Sequence, residues 1–177
     1  MISLIGLPGS GKSTIGRQLS RRISCSFFDS DQVIEQRIRC SIREYFELSG
    51  ETAFRLIEQE VIDELTQRSD CVVSTGGGAV LQKSNRENLK GRCNTIYLHC
   101  APEELFWRLR HDQNRPLLQV ANPLEKLQEL YAVRDPLYRE TAHFVIQTGR
   151  TSVASLINLI VEQLELNNIS SVRHSHE

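Results

Sequence analysis

Apolar residues along the chain fall into two alternating patterns. Short runs without polar alternation occupy residues 2–6, 25–28, 71–75, 95–99 and 144–146. Runs of that kind predict strands buried on both faces. Between them, apolar positions recur at helical spacing. Ile15, Leu19 and Ile23 share one face of a helix predicted over 12–23, and Val33, Ile34 and Ile38 mark a second. Phe54, Ile57, Val61 and Leu65 form a stripe over 52–66, and Leu105, Phe106 and Leu109 follow Pro102 at a first helical position. Val153, Leu156, Ile157, Ile160, Val161 and Leu164 make the clearest amphipathic helix in the chain.

Local punctuation sharpens the boundaries. Ser41-Ile42-Arg43-Glu44 is a capping box opening a helix that Gly50 stops. Ser84 to Glu87 reads as a second capping box, on a short helix ending at Gly91. Two helices are predicted over 123–133 and 135–141, the second with Asp135 as cap and Pro136 behind it. Leu127, Leu130 and Tyr131 read as core. The periodicity lapses over 112–123, leaving a loop around Arg115-Pro116, and the residues beyond Asn167 are polar. Strands alternating with helices predict an α/β fold, a three-layer α/β/α sandwich on a five-stranded parallel sheet. The expected organisation is one domain over 1–167 with a disordered polar tail at 168–177.

Composition changes this picture little. With 21 Lys and Arg against 22 Asp and Glu, the net charge of −1 gives no reason to expect nucleic acid or an anionic membrane as partner. No apolar stretch is long enough to span a bilayer, and no signal peptide is expected. The 5 cysteines include no C-x-x-C pair, which suits reduced thiols in a cytoplasmic setting. A monomer is expected.

The chemistry begins at Gly6-Leu7-Pro8-Gly9-Ser10-Gly11-Lys12-Ser13-Thr14, which has the form G-x-x-x-x-G-K-[ST] between a strand and a helix. Glycines let the backbone curl so that N–H groups point at phosphate oxygens, and the helix adds its positive end. Gly9, Ser10, Gly11, Lys12, Ser13 and Thr14 are therefore assigned to the phosphates of a nucleotide. Lys12 reaches the β/γ-phosphates and Ser13 ligates Mg²⁺.

In a parallel sheet, ligands sit outside the carboxyl ends of the strands. That places Asp29 and Asp31, after the second strand, and Gly76-Gly77-Gly78, after the third, against the same crevice. The third strand ends in Ser74-Thr75 without an acid, so Asp29 is the metal-directed carboxylate, acting through water. Taken alone, an aspartate pair in a turn is a helix cap; a neighbouring phosphate loop that needs Mg²⁺ reverses that reading.

The ordered set of Gly6 to Ser13, Asp29-Ser30-Asp31, Gly50-Glu51 to Phe54-Arg55 with Glu58, Gly76-Gly77-Gly78-Ala79, Arg115-Pro116-Leu117-Leu118 and Arg134-Asp135-Pro136-Leu137-Tyr138-Arg139 resembles the shikimate kinase family. That family belongs to the nucleoside-monophosphate-kinase-like branch of P-loop proteins, and the resemblance covers nearly the whole chain. It implies ATP-dependent phosphorylation of the 3-hydroxyl of shikimate, on the route to chorismate and the aromatic amino acids.

By the same resemblance Asp31 contacts the acceptor hydroxyls and serves as base. Arg55 and Arg134 grip the carboxylate, Glu58 orients Arg55, and the glycine triplet lines the pocket. Arg115 acts in catalysis from a mobile lid at about 112–123. Arg108 stacks over adenine, with Arg110 as competitor, and Arg150 lines the other side, where Ser152 replaces a proline common in the family. Without the resemblance, Arg55 reads as an exposed helix residue paired with Glu51 or Glu58, and Arg134 as a surface residue. The rival readings are another small-molecule kinase of the branch, for gluconate or a nucleotide, and a nucleotide-dependent switch. The chain has no N-K-x-D guanine signature.

Overall fold

The structure, a computed structural model, describes residues 1–110 and 120–174. Strands β1 (Ile2–Ile5), β2 (Ser26–Asp29), β3 (Cys71–Ser74), β4 (Asn94–His99) and β5 (Phe144–Gln147) alternate with helices α1 (Lys12–Arg22), α2 (Ser30–Ile38), α3 (Ile42–Thr66), α4 (Lys83–Arg92), α5 (Pro102–Leu109), α6 (Pro123–Thr141) and α7 (Val153–His174). All strand pairs are parallel, in the order β2-β3-β1-β4-β5. The chain leaves β1 toward one side of the sheet and returns to build the other, so the crevice opens at the carboxyl end of β1.

Period-two alternation within the strands sorts the core into layers. Leu4, Ile96 and Leu98 face α1 and α7, where Ile15, Leu19, Leu156 and Ile160 close one side. Ile5 and Tyr97 point the opposite way, onto Ile62, Leu89, Leu127 and Tyr138 of α3, α4 and α6. Ile34, Phe54, Val61 and Val73 pack α2 and α3 over the β2–β3 edge. This is the expected α/β/α sandwich on a five-stranded parallel sheet.

Several local expectations change. Gly50 does stop the first helical stretch, with φ 81° and ψ 173°, but a second resumes at once, so α3 is a kinked pair of helices. The Phe46 and Phe54 rings pack across that kink at 4.6 Å. The capping box at Ser84 does not form. α4 starts at Lys83 after Gln82, without a side-chain cap, and Gly91 lies inside it. Burial decides there: Leu89 and Asn85 are fully enclosed, and the Asn85 amide donates to the Ala79 carbonyl.

The two helices predicted on either side of Asp135 are one, α6, running through Pro136. Asp135 is not a cap; its carboxylate accepts from Tyr97 Oη and Arg139 Nε. Ile23 ends α1 at the surface, 37% exposed, and leaves the apolar face to Ile15 and Leu19. The backbone of α7 remains helical to His174, past Asn167. Among the described residues no helix is long and apolar enough to cross a membrane.

Candidate active site

The loop from Gly6 to Gly11 turns back on itself because it can adopt left-handed backbone. Gly9 and Gly11 have φ of 84° and 95°, a region open to glycine at little cost. Gly11 caps α1 with no side-chain hydrogen bond, and the first turn carries no acid. The first N–H groups of α1 thus face an anion site with no carboxylate competing for it. Lys12, only 7% exposed, lies inside the same curl. Its Nζ donates to the carbonyls of Gly6 and Leu7, both at 2.9 Å.

Ser13 Oγ donates to Asp29 Oδ2 at 2.5 Å and lies 3.4 Å from Ser74 Oγ. The other Asp29 oxygen accepts from the backbone N–H of Asp31 and Gln32, capping α2. Asp29 is therefore both the helix cap and the neighbour of Ser13, and the two readings of this residue are not alternatives. Ser13, Asp29 and Ser74 together present hard oxygen donors, the chemistry that suits Mg²⁺.

Asp31 follows two residues later, in the first turn of α2, and its carboxyl pKa is pushed up to about 6. Burial is the main cause; the negative charges of Asp29 and Glu58 add to it, and Lys12 opposes it. A carboxylate with that pKa is a far stronger base than a solvated one while remaining ionised at neutral pH.

Each glycine of the triplet has a distinct steric reason. A Cβ at Gly76 would lie 2.7 Å from Asp31 Oδ1 and 3.2 Å from Glu58 Oε1. One at Gly77 would meet the Pro8 ring at 2.7 Å, and one at Gly78 the Arg55 guanidinium at 2.5 Å. The triplet is thus the surface on which the phosphate loop, Asp31, Glu58 and Arg55 converge. Ser30, fully buried, accepts the Gly76 N–H and ties the end of β2 to it.

On α3, Arg55 Nη1 donates to Glu58 at 2.6 Å and Nη2 approaches Glu51 at 3.3 Å. Both glutamates named by helical spacing are partners, but Arg55 is mostly enclosed, with 12% of its side chain exposed, and Glu58 is buried. Burial raises the Glu58 pKa, and the charges of Arg55 and Arg134 hold it down. Arg134, half-buried on α6, thereby acts on the same carboxylate.

A crevice of about 430 Å³ is lined by Pro8, Lys12, Ser13, Asp29, Asp31 and Gly76 among others. A second, of about 500 Å³, runs along Gly9, Gly11, Arg108, Gly149, Arg150 and Ser152. Gly9, Gly11, Thr14 and Arg108 line both. Arg108 Nη2 is anchored on the carbonyls of Thr148 and Gly149 at 3.0 and 2.7 Å. Arg110 instead stacks on Trp107, 4.4 Å from the ring centroid, and lines neither crevice. Arg115 and most of the expected lid lie outside the described residues. Sequence reasoning did not single out Ser30 or Ser74; their only signal was a place next to the aspartate pair and at a strand end.

Comparison with known proteins gives a consistent outcome. A family model described as shikimate kinase matches residues 8–165. The chain is 56% identical to a shikimate kinase of Paracidovorax citrulli over 171 residues, 95% of this chain and 93% of that protein. Among solved structures, shikimate kinase from Acinetobacter baumannii in complex with shikimate aligns with a TM-score of 0.87 at 46% identity, covering 94% of this chain and 93% of that one. A gluconokinase from Sinorhizobium meliloti aligns with a TM-score of 0.54 at 17% identity, over 94% of this chain and 95% of that one. That last likeness is one of fold alone.

Proposed function

The chain belongs to the shikimate kinase family, and from that premise we propose that it phosphorylates the 3-hydroxyl of shikimate at the crevice between the phosphate loop and Asp31. The observation that carries this reading is that Lys12, Ser13, Asp29, Asp31, Gly76 and Gly77 line one cavity. The γ-phosphoryl group of ATP moves to the 3-hydroxyl oxygen, the β,γ-bridging P–O bond breaks, and the products are ADP and 3-phosphoshikimate.

Phosphoryl transfer needs mainly positioning and charge stabilisation. The N–H groups of 9–14 bind the triphosphate, and Lys12 exchanges its loop carbonyls for β/γ-oxygens. Asp31 aligns the incoming hydroxyl and accepts its proton, a role that its pKa of about 6 supports. Arg55, held by Glu58, and Arg134 bond the acceptor's carboxylate, for which planar guanidiniums are suited. Arg108 and Arg150 flank the base in the second crevice. Arg115 is assigned to stabilising charge on the transferred phosphoryl group. Ser13 and Asp29 hold Mg²⁺, which supplies charge neutralisation on the phosphates. Every assigned side chain comes from one chain, so a monomer over residues 1–167 suffices, and free cysteines suit a reducing cytoplasm.

The decisive experiment measures ADP release with shikimate, gluconate, AMP and CMP as acceptors. Turnover with shikimate alone is expected; turnover with a rival and none with shikimate overturns the assignment.

A further inference from the structure

We propose that Tyr138 is a positioning residue for acceptor binding, its hydroxyl fixing Arg134 against the glycine triplet; the inference rests on the acceptor-pocket reading above. Tyr138 lies one helical turn beyond Arg134 on α6 and is fully buried. Its hydroxyl donates to the Gly77 carbonyl at 2.6 Å. Having donated its proton, the phenol oxygen keeps lone pairs for a donor, and Arg134, four residues earlier on the same face of α6, acts electrostatically on it. Phenylalanine would fill the same space in the core, so the buried hydroxyl has a task beyond packing.

That task follows from the helix. Pro136 lacks an N–H, so the Ala132 carbonyl has no helical partner in the turn that carries Arg134. Side chains replace the missing restraint. The Tyr138 ring packs on Tyr97 at 4.8 Å, and Tyr97 Oη donates to Asp135 at 2.8 Å from the neighbouring strand. Gly78, next to the anchored Gly77, is packed on the Arg55 guanidinium. The hydroxyl therefore ties the helix that carries Arg134 to the glycines beside the Arg55 guanidinium.

A double-mutant cycle on the full chain tests this. Tyr138→Phe should raise the shikimate KM by about ten-fold, the scale of one lost buried hydrogen bond, with the ATP KM and kcat unchanged. In an Arg134→Ala background the same substitution should cost less than about two-fold, because the group it positions is gone. Equal losses in both backgrounds, or a rise in the ATP KM of the same size, would make Tyr138 a packing residue and overturn the inference. Were Tyr138→Phe not to fold, Tyr97→Phe carries the same expectation at about three-fold, again vanishing with Arg134→Ala. An Arg134→Ala protein with unchanged shikimate KM would instead sink the pocket assignment itself, which keeps the two failures apart.

Discussion

The two sides of the crevice are built by different means. The part proposed for the phosphates is a backbone cradle: left-handed glycines, the open N-terminus of α1 and one enclosed lysine, all within a single stretch of chain. The part proposed for the acceptor is made of side chains from α2, α3 and α6 and the loop after β3, with a buried ion pair against a glycine surface. A backbone cradle is specified by local conformation and binds any phosphate chain. A side-chain clamp is specified by packing and selects one acceptor. The difference predicts that mutations on one side should change turnover or ATP binding, and mutations on the other should change acceptor recognition.

Lys12→Met offers the largest effect, a loss of about 10³-fold in kcat/KM with the fold retained, measured by ADP release and circular dichroism. Near-normal activity would remove the cradle from the mechanism. Asp31→Asn, where the two sides meet, should lower kcat by about 10²-fold. In the wild type kcat/KM for shikimate should fall about ten-fold per pH unit once the pH drops below about 6, where Asp31 of the ligand-free enzyme takes up its proton.

The same residue makes a stability prediction. Its folded pKa of about 6 exceeds the ordinary 3.8, so the folded state binds more protons and stability falls as pH rises between those values. The ligand-free Asp31→Asn protein should accordingly be more stable than wild type at neutral pH, by up to about 3 kcal/mol, and the two should converge near pH 4. Equal melting temperatures across that range would show that Asp31 is not strained by its surroundings.

Arg134→Ala should raise the shikimate KM about 30-fold and leave the ATP KM alone, because it removes a charged hydrogen bond to a non-reacting group. A fall in ATP affinity would break the division between the sides. The smallest effect is expected for Arg108→Ala, about three-fold in the ATP KM with acceptor binding unchanged.

The legibility of these parts in the sequence follows the same division. The phosphate loop is visible in a single window because its function depends on local φ/ψ and an adjoining helix. Asp29 was equally visible as a cap, and its contact with Ser13 required β2 to lie one strand away from β1, across β3, which a list of strands does not give. Arg55 shows the limit more sharply. Helical spacing named Glu51 and Glu58 as its partners, and both are, yet spacing described an exposed pair where the Glu58 contact is buried. The capping box at Ser84 and the break at Asp135 failed because local propensity is worth about 1 kcal/mol, less than the enclosed side chains of α4 and α6 contribute.

What the sequence alone determined is the set of elements, their parallel arrangement and the chemistry of the loop after β1, since strand runs, helical stripes and glycine conformations are properties of neighbouring residues. Only the tertiary structure decided the strand order, the continuity of α6, the raised pKa of Asp31 and the meeting of Arg55, Glu58 and Tyr138 around three glycines. Those depend on which surfaces exclude water together, and burial is a property of the packed chain rather than of any segment of it.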